Sequence, residues 1–278
     1  MAVSLSEPAR LAIVTRLRAA GCVYAEDEAR LLIGEARTPA DLAAMVDRRA
    51  AGQPLEVIVG WAGFCGLRIA VDPGVFVPRR RTEFLVRQAV ALPLPLPLPA
   101  PGLPVVVDLC CGSGAIGAAV AAALGPVELY AADLDPLAVA CARRNLAGWG
   151  GLVYQGDLFE PLPAALLGRV GLLAANVPYI PTGEIGLLPA EARIHEPRVA
   201  LDGGADGLDL VRRVAEAAPL WLAPGGHLLI ETSERQAPAT AGAFAEAGLT
   251  ARAASCEELG ATVVIGTRPA SPNDPRAA

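Results

Sequence analysis

The sequence predicts an α/β chain: a doubly wound sheet of seven strands, preceded by a small helical unit and a β-hairpin. Three observations carry this expectation. From residue 105 onward, short apolar runs alternate with helix-length segments. A glycine-containing loop, Cys110-Cys111-Gly112-Ser113-Gly114-Ala115-Ile116-Gly117, leads from the first of those runs into a helix. Residues 5–50, by contrast, carry apolar positions at helical spacing (Leu5, Ala9, Ala12, Ile13, Leu17, then Ala29, Leu32, Ile33). At 278 residues and 53% hydrophobic content the chain can fill one large core and one accessory core.

The helical unit is expected over 1–53. Its third helix begins after Thr38-Pro39, where Thr offers an N-cap and Pro suits the first turn. Over 54–80 the pattern changes to β-type runs, Val57-Ile58-Val59 and Leu67-Arg68-Ile69-Ala70-Val71, with Gly63 and Gly66 in the turn between them, which reads as a hairpin linker. A short helix over 82–91 follows, and then a Leu-Pro repeat over 92–99. Alternating proline cannot supply ladder or helix donors, so this is a polyproline II spacer. The main domain spans 81–268, with strands at 105–109, 127–132, 151–155, 170–175 and 226–231 and two closing strands near 250–255 and 262–267. Helices are expected over 115–124, 136–147 and 208–222. The tail over 269–278 is short, polar and Pro-rich, and is expected to be disordered.

Composition excludes several classes of function. Six scattered cysteines (Cys22, Cys65, Cys110, Cys111, Cys141, Cys256) without a Cys-x-x-Cys pair, beside two histidines, read as reduced thiols with no metal site. A net charge of -6 argues against a broad grip on nucleic acid. Apolar stretches are broken before reaching the roughly 20 residues that span a bilayer, and the N-terminus lacks the pattern of a signal peptide. The chain is expected to be cytoplasmic and monomeric.

The chemistry-bearing residues fall where the expected strands end. Gly112, Gly114 and Gly117 let the backbone approach a ligand, and the helix that follows favours negative charge at its start. Asp133 stands 21 residues beyond Gly112 at the end of the next strand, where it can accept both ribose hydroxyls of a nucleoside. That spacing suits NAD and S-adenosylmethionine alike. Asp135, just before Pro136, is the better cap for the next helix. Asp157 and Leu158, after the third strand, reach the same edge, where an adenine would lie.

After the fourth strand comes Asn176-Val177-Pro178-Tyr179. An amide or aromatic amine is a poor nucleophile because its lone pair is delocalised, so it must be aimed closely at an electrophile. The Asn176 side-chain oxygen and the main-chain carbonyl of Val177 can each accept one N–H of a planar NH2, leaving the lone pair free. Tyr179 offers an aromatic face and Pro178 stiffens the turn. A backbone carbonyl is what position 177 must supply, and Val supplies it as well as Pro.

The tetrad resembles the Asn-Pro-Pro-Tyr signature of amino-group methyltransferases. Together with the Asp108 to Gly117 loop, Val77-Pro78-Arg79-Arg80-Arg81-Thr82-Glu83, His195-Glu196-Pro197-Arg198 and Gly203-Gly204-Ala205-Asp206-Gly207, it makes the chain similar to the release factor glutamine-N5 methyltransferase family along nearly its whole length. The resemblance implies a Rossmann-like methyltransferase sheet with S-adenosyl-L-methionine as cofactor, and an N-terminal domain that recognises the substrate. It implies transfer to the glutamine of a Gly-Gly-Gln motif in a peptide chain release factor. Cofactor contacts then fall on Cys110, Cys111, Gly112, Ser113, Gly114, Asp133, Leu158 and Asn176; Asp157 joins them from its position alone. Asn176, Val177, Pro178 and Tyr179 bind and orient the acceptor.

The chain departs from the family pattern at Cys110 (a glycine in the family), Leu158 (an aromatic), Arg81 (an acidic residue) and Glu257-Glu258-Leu259-Gly260-Ala261-Thr262, which lacks the usual polar and basic residues. Methylation of a nucleobase amino group, another peptide or a small molecule is the alternative, and the tetrad permits it. His195 is read as a loop-packing residue in preference to a general base, and Arg79 to Arg81 either as a solvated run or as a contact for an acidic or RNA-bound partner.

Overall fold

The computed structural model of the protein describes residues 5–95 and 102–270. The Leu-Pro repeat beyond Pro95 and the tail from residue 271 lie outside the described residues. Four helices open the chain: α1 (Glu7–Ala19), α2 (Ala25–Glu35), α3 (Pro39–Ala50) and α4 (Leu55–Val59). Thr38 caps α3 as expected, its hydroxyl accepting the Asp41 N–H at 3.1 Å. Leu17, Ala29, Leu32, Leu42 and Met45 form one apolar cluster. Arg49, largely buried, bonds Glu28 at 2.6 Å and reaches Glu191 of the main domain at 3.0 Å. No helix among the described residues is long and apolar enough to cross a membrane.

The expected strand at Val57-Ile58-Val59 is instead the end of α4. Pro54 starts this turn of helix, Gly60 closes it in the left-handed region, and Ile58 packs into the helical cluster. Tertiary packing overrides the β propensity of three branched residues. The hairpin is displaced accordingly to β1 (Trp61–Phe64) and β2 (Leu67–Ala70). Gly63 lies within β1 opposite Arg68, and the turn is Cys65-Gly66, both at positive φ, as a two-residue hairpin turn requires.

After α5 (Glu83–Val90) the chain builds the sheet: β3 (Val105–Leu109), α6 (Ala115–Leu124), β4 (Glu128–Asp133), α7 (Pro136–Leu146), β5 (Leu152–Gln155), β6 (Val170–Ala175), α8 (Ala190–His195), α9 (Asp209–Trp221), β7 (Leu222–Thr232), α10 (Ala237–Glu246), β8 (Thr250–Cys256) and β9 (Ala261–Thr267). The strand order is β5-β4-β3-β6-β7-β9-β8, with β9 antiparallel to both of its neighbours. Helices α5, α6 and α7 pack into the cluster on one face, α9 and α10 into that on the other. The seven-stranded doubly wound sheet is therefore as expected. Strand β7 starts four residues early, because Leu222 pairs with Val170 before an irregularity absorbs Pro224-Gly225-Gly226.

Chain order reverses between β3 and β6, which makes their carboxyl ends the switch point where ligands of open α/β sheets bind. Leu109 aligns with Ala132 on one side and Ala175 on the other, and Ala175 with Ile230. The loops after four strands thus emerge side by side.

Two features hold this edge in shape. Asp108, fully buried in β3, accepts the Gly117 N–H at 2.8 Å and so fixes the start of α6, while its other oxygen has no partner among the described residues. Beyond β6, the stretch 176–182 is clamped from above. Ile180 N–H donates to the Leu201 carbonyl, Gly203 N–H to Ile180 at 2.8 Å, and the Gln236 side-chain amide to the carbonyls of Tyr179 and Asp206 at 2.9 and 3.1 Å. A Cβ on Gly203 would lie 2.7 Å from the Pro178 carbonyl oxygen and 2.8 Å from Gly207 Cα.

Burial pushes the Asp108 carboxyl from 3.8 up to about 8. A carboxyl whose folded pKa is raised binds a proton that the unfolded chain has already lost, so it subtracts stability progressively as pH rises between those two values. Asp108→Asn keeps an acceptor for Gly117 and carries no charge. Its melting temperature should gain on that of the wild type as pH goes from about 5 to about 8.5; a gap independent of pH would contradict the titration. Gly203→Ala should cost about 1–3 kcal/mol in denaturant unfolding, since only backbone surrounds the added methyl. An unchanged midpoint would show that the clamp relaxes.

Candidate active site

A cavity of about 1190 Å³ opens at the switch point. Cys110, Cys111, Gly112, Ser113, Asp133, Asp157, Leu158 and Asn176 to Tyr179 all line it, so twelve expected residues from four separate loops, less one, share one space. The exception is Gly114, which does not line the cavity. It holds the left-handed turn before α6, and a Cβ there would meet Leu146 and Ala142 of α7 at 3.1–3.2 Å. Its contribution is close packing that lets the loop turn, rather than ligand contact.

The loop after β3 is built to receive a ligand. Gly112 has φ +54, and a Cβ added to it would point into open space. Cys110, at φ 52, is a side-chain-bearing residue in the same left-handed region, at a cost of roughly 1–2 kcal/mol that the glycine of the family pattern avoids. Asp133, the last residue of β4, ties the loop down: Oδ2 accepts the Gly112 N–H at 2.8 Å and Oδ1 the Asp135 N–H at 3.0 Å. Each oxygen keeps a second lone pair, so ribose hydroxyls can still be accepted. Burial raises the Asp133 carboxyl, and these N–H bonds oppose the rise. Asp135 is the α7 cap, accepting from Leu137 N–H at 2.9 Å. Asn145 of α7 joins loop to hairpin, donating to the carbonyls of Ser113 and Ala70 and accepting the Ala70 N–H.

Asp157 is engaged by Arg213 at 2.7 Å, which leaves the backbone of 157–158 and the side chain of Leu158 as the surface it offers. Leu158 adopts φ 48 and is buried. Burial holds the Cys110 and Cys111 thiols above their ordinary pKa, so neither is poised as a thiolate nucleophile. The open face at Gly112, the Asp133 carboxylate and the apolar Leu158 together fit a nucleoside whose ribose lies across the ends of β3 and β4.

On the acceptor side, Val177 turns its side chain into the core, 1% exposed, leaving its main chain as the group available to a ligand. Among the described residues nothing hydrogen-bonds the Val177 carbonyl or the Asn176 carboxamide. Strand register pairs Ala175 with Ile230, and Asn176 and Glu231 are the residues that follow them. Its Oε1 accepts from Arg81 Nε at 3.1 Å and from the Tyr179 hydroxyl at 3.3 Å, while Arg81 Nη2 donates to that hydroxyl at 2.6 Å. Burial beside Glu231 holds the Tyr179 phenol neutral. Arg79 pairs with buried Glu196.

Glu231 and Glu196 were not among the expected site residues. Glu231 lies in a strand buried throughout its second half, so no pattern in the sequence singles it out, and the pairing of β6 with β7 brings it to the edge where Asn176 lies. Buried glutamates engage Arg79 and Arg81, while both arginine side chains stay part-exposed. His195 does not line the cavity; its neighbour Glu196 does.

Residues 82–168 match the methyltransferase small domain family. Over 235 residues the chain is 39% identical to the release factor glutamine methyltransferase of Geobacter sulfurreducens, covering 83% of this chain and 79% of that protein. It is 38% identical over 210 residues to the 4-amino-L-phenylalanine/4-methylamino-L-phenylalanine methyltransferase of Streptomyces pristinaespiralis, covering 76% and 71%. A methyltransferase structure from Pyrococcus furiosus shares the fold, with a TM-score of 0.53 and 16% identity over 73% of this chain and 90% of that one. By its sequence identity and coverage, the chain belongs to the release factor glutamine methyltransferase family.

Proposed function

We propose that the protein transfers a methyl group from S-adenosylmethionine to the side-chain amide nitrogen, N5, of a protein glutamine, in the Gly-Gly-Gln motif of a peptide chain release factor. The observation that carries this reading is the pair of unengaged acceptors, the Asn176 carboxamide oxygen and the Val177 carbonyl, in the same cavity as the Gly112 loop and Asp133. The helical unit over 1–53 is on this reading the part that recognises the release factor, and the enzyme works as a cytoplasmic monomer.

S-adenosylmethionine, when bound, supplies an electrophilic methyl on a sulfonium. The chain's own residues do the rest by positioning. Asn176 Oδ1 and the Val177 carbonyl take the two amide N–H groups and turn the nitrogen lone pair outward. Tyr179, held by Arg81 and Glu231, presents a fixed aromatic wall to the planar amide. Asp133 and the Gly112 loop would hold the nucleoside, and with the acceptor nitrogen turned toward the methyl, orientation and fixed dipoles would lower the barrier.

A nucleobase acceptor is less well supported. The chain carries net charge -6 and 4% aromatic residues, and among the described residues only Phe64, Phe76 and Tyr179 offer rings to the cavity, whereas extruded bases call for stacking partners and a basic approach.

Incubation with labelled S-adenosylmethionine and purified release factor, followed by mass mapping, should place the methyl on the Gly-Gly-Gln glutamine. Asn176→Ala should lower kcat by about a hundred-fold or more with cofactor affinity largely kept. Asp133→Ala should weaken cofactor binding about ten-fold or more. A methyl on another residue, or full activity in Asn176→Ala, would overturn the reading.

A further inference from the structure

Helix α8 forms part of the acceptor wall, yet its own packing does little to hold it there. It is six residues long, well short of the roughly 12–15 at which a helix is even marginally stable alone in water. Glu191, Ala192, Arg193, Ile194 and His195 are all at least part-exposed, so burial of these side chains contributes little. Even so, Pro189, Glu191, Ala192 and Glu196 line the cavity. An ion pair fixes each end of the helix. Glu196, just past its last residue, is buried against Arg79. Glu191, in its first turn, accepts from Arg49 Nη1 at 3.0 Å.

The two anchors come from different parts of the chain. Arg79 precedes the short turn that holds Arg81, its carbonyl accepting the Thr82 N–H at 3.0 Å, and Arg81 bonds the Tyr179 hydroxyl. Arg49 belongs to α3 of the helical unit. Its Nε and Nη2 donate to the two carboxylate oxygens of Glu28 in α2 at 2.6 and 3.3 Å, and Nη1 also donates to the Gln53 carbonyl at 3.0 Å. With Arg49 and Glu28 only 13% and 11% exposed, the guanidinium is locked before it reaches Glu191. A planar fork fixed on one carboxylate presents its remaining N–H in a set direction. Glu191, 39% exposed, is the partner that adjusts to it. Contacts thus run from the helical unit through α8 to Glu196, Arg79, Arg81 and the Tyr179 wall.

We propose that Arg49 is a positioning residue for methyl transfer: by holding Glu191 it sets α8 along the acceptor end, so that the helical unit completes the acceptor site as well as recognising the protein substrate. The inference rests on the glutamine methylation proposed above. Its consequence differs from that of docking alone. A unit that only docks the release factor governs KM for the whole protein and has no effect on a peptide too short to reach it. A unit that sets the wall governs kcat for both, because a displacement of about 1 Å at the reacting groups can cost about a hundred-fold.

Two variants cut the contact from opposite sides. Glu191→Ala removes the carboxylate on α8. Glu28→Met/Arg49→Met replaces the buried pair with apolar side chains, because removing Arg49 alone would leave Glu28 buried and unpaired. Transfer from labelled S-adenosylmethionine is measured on release factor and on a short Gly-Gly-Gln peptide, with cofactor affinity and melting temperature alongside. Each variant is expected to lower kcat about ten-fold or more on both acceptors, with cofactor Kd kept within about two-fold. Combining them should cost no more than either alone, since both cut the same contact. Glu191→Gln, whose amide oxygen still accepts from Arg49, should recover most of the rate. An unchanged kcat on the peptide, with only KM for release factor raised, would overturn the positioning role and leave docking. Losses that multiply in the combined variant would also overturn it, because Glu191 would then act without Arg49. So would cofactor binding lost in step with kcat, the mark of partial unfolding. Wild-type enzyme inactive on both acceptors would overturn the glutamine reading and this one with it.

Discussion

The acceptor site depends on one close backbone contact: the turn at residues 203–207 lies directly on the main chain of Pro178 and Tyr179. Gly203 approaches the Pro178 carbonyl, Gly207 approaches the Tyr179 carbonyl, and Gln236 bonds that same carbonyl from the start of α10. No side chain fits between these segments. The contact is what allows a loop with no regular secondary structure to hold two hydrogen-bond acceptors in place without engaging them internally. Since a reactive geometry tolerates little displacement, rigidity here counts for more than the identity of residue 177, whose side chain is packed away in the core.

The cofactor side solves the same problem with carboxylates. Asp133 accepts the Gly112 N–H in the loop between β3 and α6, and Asp108 the Gly117 N–H in the first turn of α6, so the loop is fixed at two points. One acid is wholly buried and the other opens to the cavity, so the first serves shape and the second both shape and binding. Across the cavity the pattern repeats with buried Glu231 and Glu196, which hold Arg81 and Arg79 against the acceptor end.

Much of this was legible in the sequence, for identifiable reasons. Strands of a buried parallel sheet are continuous apolar runs, and helix caps at Thr38 and Asp135 are chemical signals that need no tertiary context. What escaped was set by packing. Val57-Ile58-Val59 reads as a strand until the helical cluster claims Ile58. Helix α10 is Ala-rich and weakly amphipathic, so its period is faint. Gly114 matches a ligand-binding spacing, yet its neighbours are Leu146 and Ala142. Glu196 and Glu231 stand far apart in the chain, and only the β6–β7 register and the fold of 188–204 bring them to the tetrad. Charge runs such as Arg79 to Arg81 carry no mark of whether buried partners await them.

The central claim is that a planar nitrogen is oriented by the Asn176 side-chain oxygen and the Val177 carbonyl together. A crystal structure of the enzyme with S-adenosylhomocysteine and a Gly-Gly-Gln peptide tests it most directly. The account predicts the glutamine amide nitrogen within roughly 3 Å of both oxygens, with its plane against Tyr179. An amide nitrogen bonded to neither oxygen, or held by a side-chain acid in their place, would contradict it.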